Sequence, residues 1–141
     1  MKTTWIVVAD EAIARLLEKP EEGGDFVPVE ELTDPGAHSR EAEMRHGPHG
    51  RRAGGATVSA GDSERHQHAK LFATRIAERL AEAQRQGRFH VLHLIAAPRM
   101  LGYLRPALSA SVSATVASEQ DKDLVQASAA ELTRRLAEAR P

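Results

Sequence analysis

Trp5-Ile6-Val7-Val8-Ala9-Asp10 is the stretch on which the fold turns. Five apolar residues, three of them β-branched, end at a carboxylate, which reads as a short strand buried on both faces. Phe89-His90-Val91-Leu92-His93-Leu94-Ile95-Ala96 repeats the pattern in the second half of the chain and reads as a second central strand. Strands covered on both sides require helices on both sides, so the chain is read as α/β.

Working outward from the first strand, Ile13, Arg15 and Leu17 alternate with Ala14 and Leu16 between Ala12 and Glu18. That alternation predicts a second strand, with a helix as the alternative because Ala, Arg and Leu favour helices. Pro20-Glu21-Glu22-Gly23-Gly24-Asp25 is a turn by composition. Phe26 to Leu32 is then a third strand, and Pro28 confines it to a sheet edge because it cannot donate to a ladder. From Thr33 to about Gly61 apolar residues are few, and the stretch is expected to be an exposed loop. Asp62-Ser63 is the expected cap of a long helix. In it Ala69, Phe72, Ala73, Ile76, Ala77, Leu80 and Ala83 form an inward stripe, with Lys70, Arg75, Glu78, Arg79 and Glu82 on the outer side. Gly87 stops that helix. Pro98 opens a shorter helix carrying Leu101 and Leu104, which Pro106 ends. A last helical turn is expected within Leu108 to Ala114 and a short strand at Thr115 to Glu119. Ser128-Ala129-Ala130-Glu131 is a capping box that starts a terminal helix with Leu132, Leu136 and Ala139 inward.

The element order is thus β-β-β, loop, α-β-α-β-α, and it predicts one domain over residues 1–141. A meander followed by right-handed crossovers gives a mixed five-stranded sheet of order 3-2-1-4-5 with helices on its faces, the connectivity of a ribonuclease H-like layer. The bulk composition agrees: 41% hydrophobic and 28% charged residues over 141 positions are ordinary for a globular domain. A formal net charge of −1 points to no global affinity for nucleic acid or membrane, so any basic patch must be local. There is no cysteine for disulfide or thiolate chemistry. No run approaches the roughly 20 apolar residues of a membrane span, and the N-terminal run is too short for a signal sequence. A cytoplasmic location with no membrane contact is the expectation.

Which chemistry do the side chains permit? Two-metal phosphoryl transfer needs several carboxylates around two cations. Asp10 ends the first strand, but the second central strand ends Ala96-Ala97-Pro98-Arg99 without an acid, and Asp10 reads as a turn residue. His38, His46, His49, His66 and His68 fall in or beside the loop, where a His-rich tract could hold zinc or nickel. No helical i, i+4 pair supports that use, and His90 and His93 sit on a strand at odd spacing, hence on opposite faces. Ser59, Ser63, Ser109, Ser111 and Ser113 lack a nucleophile-elbow pattern. The chain is therefore read as non-enzymatic, with no cofactor and no metal. Met44 to Ala56 stands out instead: three arginines, four glycines and no acid in thirteen residues. Arg45, Arg51 and Arg52 supply charge and forked donors for phosphate, while Gly54 and Gly55 permit close backbone approach. A solvated linker is the plain alternative.

The opening Trp5 to Asp10, the stretch Ala14-Arg15-Leu16-Leu17-Glu18, and Leu32 with Asp34-Pro35 resemble the bacterial host-attachment protein family. Gly87-Arg88-Phe89, Ala97-Pro98-Arg99-Met100-Leu101-Gly102-Tyr103-Leu104-Arg105, Leu108-Ser109, Asp121-Lys122-Asp123-Leu124 and the helix start at Ser128 follow its pattern in order. The family was named for bacterial attachment to host cells and is regarded as a relative of the central domain of archaeo-eukaryotic peptide-release factors. In those factors the corresponding loop bears Gly-Gly-Gln at the ribosomal peptidyl-transferase centre. Gly54-Gly55-Ala56 stands there in this chain, and Ala56 has no amide to position a water. The resemblance implies a release-factor relative without hydrolytic ability that binds ribosomal RNA through its basic loop. The alternatives are an attachment or adaptation protein acting through protein contacts, and a His-dependent metal-binding protein.

Overall fold

A computed structural model of the chain describes the backbone of residues 2–34 and 54–139, and the side chains of residues 2–34 and 64–137. The elements are β1 (Thr4–Ala9), β2 (Ile13–Glu18), β3 (Val27–Thr33), α1 (Gly54–Arg85), β4 (Val91–Ala96), α2 (Pro98–Ala107), α3 (Ala110–Ser113), β5 (Val116–Gln120) and α4 (Ala129–Ala139). The strands form one open mixed sheet of order β3-β2-β1-β4-β5, as the connectivity requires. β1 pairs antiparallel with β2 and parallel with β4, so it is bonded on both edges. β3 is an edge strand, where Pro28 costs no ladder bond on its open side.

Side chains alternate across each strand, and this divides the core in two. Trp5, Val7, Ala9, Leu92, Leu94 and Ala96 face α1 and α2, meeting Phe72, Ile76, Leu80, Met100, Leu101 and Leu104. Ile6, Val8, Leu17 and Ile95 face the other way and lie under Leu132 and Leu136 of α4. The whole expected stripe of α1, Ala69 to Ala83, is buried. Trp5 is fully buried, stacked on Phe89 at 5.1 Å between centroids, and its Nε1 donates to Glu18 Oε1 at 3.0 Å. The Arg88 guanidinium covers the indole at 5.1 Å, a cation–π contact. Gly87, at φ +72°, ends α1 as expected: its N–H donates to Gln84 O and that of Arg88 to Ala83 O, the paired bonds of a Schellman stop.

Four boundaries or roles differ from expectation. α1 begins at Gly54, not at Asp62, and residues 35–53 of the expected loop lie outside the described residues. Each glycine costs about 1 kcal/mol relative to Ala in a helix, but extending an existing helix adds a backbone hydrogen bond per residue fixed. Pro106 lies inside the last turn of α2, which runs on to Ala107. Half of the capping box forms: Ser128 Oγ accepts from Glu131 N at 3.1 Å, but the Glu131 carboxylate takes the Arg135 guanidinium at 3.1 Å.

The fourth difference is Arg79. It flanks β3 rather than facing solvent, and its Nε and Nη2 donate to Glu30 Oε2 and Oε1 at 2.9 and 2.6 Å. This fork, chiefly its hydrogen bond, holds the Glu30 carboxyl below its usual range against a smaller desolvation effect. Both groups are about one-third exposed, so screening keeps the pair to roughly 0.2–1 kcal/mol. A depressed folded pKa stabilises above the unfolded pKa and is lost as pH falls through the folded one. In denaturant titrations, Arg79→Ala should show this loss at neutral pH and little of it once Glu30 is protonated.

No described helix is long and apolar enough to cross a membrane.

Candidate functional site

The residues expected to contact an anion divide at the start of α1. Gly54 and Gly55 are its first two residues, and Arg45, Arg51 and Arg52 lie outside the described residues. α1 is 32 residues long and has no acid in its first turn. Its first buried residue among those described is Ala69, fifteen positions after Gly54. At about 1.5 Å per residue, the helix start stands roughly 22 Å along the axis from the packed stripe. Its N-terminal end, where free amides carry partial positive charge, directly follows Arg51-Arg52-Ala53 in the chain.

Asp10 is taken up by the turn between β1 and β2. Its Oδ1 accepts from both Ala12 N and Ile13 N at 2.8 Å, while its own N–H donates to Ile13 O. A carboxylate holding two amides is an Asx turn, as its position suggested. Glu11 meets Arg99 at 3.8 Å across the ends of β1 and β4. Among the described residues no three His, Cys, Asp or Glu side chains gather as a metal site. Of the histidines in or beside the loop, His38, His46 and His49 lie outside the described residues. His66, on α1, hydrogen-bonds the Tyr103 hydroxyl of α2, with the two rings edge to face. His90 Nδ1 accepts from Thr3 N at 3.0 Å, just ahead of β4.

His93 occupies a different setting. It sits on the α4 face of β4, opposite Ile6 on one side and Ser118 on the other. Its Nδ1 lies 2.6 Å from Ser118 Oγ, and both residues are half-buried. α4 covers Ile6, Val8, Leu17 and Ile95 but leaves the β4–β5 half of this face partly open. The opening is a cleft of about 530 Å³ walled by Phe26, Val91 and Leu136 and reached by Lys2 and Lys19. No local pattern announces the His93–Ser118 pair. The two are 25 residues apart, and they meet only because the β4–β5 register shifts by one residue between Leu92 and His93.

Comparison with known proteins places this geometry in a family. No curated protein matches the chain. Residues 5–136 match the family described as protein required for attachment to host cells, from the first residue of the buried β1 run to the last buried residue of α4. That span takes in every strand except for Thr4 of β1, and both halves of the core, so the chain belongs to the host-attachment family.

Proposed function

We propose that this host-attachment protein is a non-enzymatic binding module acting in the cytoplasm. Its working element is the basic, glycine-rich stretch Met44 to Ala56, which meets RNA phosphates, ribosomal RNA foremost. The observation that carries the reading is the placement of Gly54. A continuous helix sets its N-terminal end, with no acid in the first turn, roughly 22 Å from the packed stripe, directly after Arg51-Arg52-Ala53. Phosphate is favoured at such an end by amide donors and dipole together, and the arginines add forked charge.

The test is a low-salt sucrose-gradient profile of cell lysate probed for the protein. Co-migration with ribosomal particles that is lost on ribonuclease treatment supports the reading. A profile confined to the top of the gradient opposes it and favours protein contacts as the means of attachment.

The non-enzymatic part has its own expected result. The purified protein should leave RNA and DNA intact with added magnesium or manganese, and should release no peptide from stalled ribosomes. Asp10 is engaged by two backbone amides, and Ala56 offers no amide side chain. Cleavage that copurifies with the protein and vanishes in Asp10→Asn would reverse this assignment.

A further inference from the structure

We propose that the cleft beneath α4 binds a small amphipathic anion, one with an apolar body and a single carboxylate or phosphate head. Binding there does not depend on the stretch proposed to meet RNA. Strand parity builds it. Lys2 and Thr4 precede Ile6 on the same face of the β1 segment, and Lys19 follows Leu17 on the matching face of β2, its amide bonded to Thr4 O at 2.9 Å. His93 and Ser118 continue the face across β4 and β5.

Charge and shape then select the ligand. Among the described residues, two lysines line the cleft and no carboxylate does. Neither lysine has an ion-pair partner among the described residues. An anion entering from water therefore meets uncompensated positive charge at the rim. Phe26, Val91 and Leu136 give apolar walls, and Phe26 is tied to α4 because its N–H donates to Thr133 Oγ1 at 3.1 Å. When His93 Nδ1–H donates to Ser118 Oγ, the serine proton is left to donate to an incoming oxygen. A volume of about 530 Å³ suits a small molecule, and apolar walls with a few convergent polar groups are the usual make-up of such sites.

The experiment titrates the isotope-labelled full chain with phenyl phosphate, with octanoate and with neutral benzyl alcohol, following amide resonances. Saturable shifts confined to Thr4, Val91, His93, Ser118 and Ala137 are expected with at least one anion, at a Kd of about 1 mM or below. Saturation by octanoate alone assigns a carboxylate head on an aliphatic body; saturation by phenyl phosphate alone assigns a phosphate head on a ring. Benzyl alcohol should bind about tenfold more weakly or worse, and Lys2→Gln with Lys19→Gln should weaken the anion by about tenfold, equivalent to 1.4 kcal/mol. Ala137→Trp, on the exposed side of α4, should block the cleft while the chain stays folded. Scattered or non-saturating shifts with both anions overturn the proposal. So does an affinity unmoved by the lysine changes, or a neutral probe that binds equally well.

Discussion

Ile76→Ala should lower the unfolding free energy by roughly 2–5 kcal/mol, whereas Leu71→Ala, five positions earlier on the same helix, should change it by less than about 0.5 kcal/mol. Ile76 is fully buried between Phe72 and Leu80, in the core that joins α1 to Trp5, Val7, Leu92 and Leu94. Removing three carbons there forfeits their transfer free energy and leaves a cavity, since neighbours held by the sheet relax only in part. Leu71 is 58% exposed, so its truncation takes little from the core. The contrast matters because α1 is held to the sheet by this stripe, and the start of the helix has its position from it. A two-state denaturant titration of each variant, with the slope checked for constancy, reads the difference. Equal losses would mean that the buried face of α1 has been assigned wrongly.

Much of this architecture was legible because the central strands have no choice of composition. β1 and β4 are paired on both edges; β1 is covered on both faces and β4 over its C-terminal half, which selects apolar runs such as Ile6-Val7-Val8 and Leu94-Ile95-Ala96. β2 was legible through its alternation although Ala14, Arg15 and Leu16 favour helices; pairing along β1 overrides that local preference. Pro28 marked the edge correctly. What escaped depends on distance along the chain. The partner of Arg79 lies 49 residues away, on a strand whose approach to α1 no local pattern announces. The first fifteen residues of α1 carry three glycines and no apolar residues at helical spacing, so their helix follows from propagation rather than from pattern. The cleft at His93 needs the β4–β5 register and the position of α4 together. Of the residues expected to touch an anion, only Gly54 and Gly55 could be placed, and they were found in a helix rather than in a loop.

In the proposed function, the arginines ahead of α1 contact phosphate. The stretch Met44 to Ala56 carries one large aliphatic side chain, Met44, so charge changes there should leave stability nearly intact. Arg51→Glu with Arg52→Glu should then shift the melting temperature by no more than about 2 °C. The effect on association should be far larger, because two attractive contacts become repulsive. The most direct measurement is the affinity of the unaltered protein and this double variant for ribosomal RNA over a series of salt concentrations. For the unaltered chain, log affinity should fall linearly with log salt by about 0.7–0.9 per neutralised phosphate, and the double variant should show no association even at the lowest salt. Equal affinities for the two proteins, or an affinity that salt does not move, would rule out that contact.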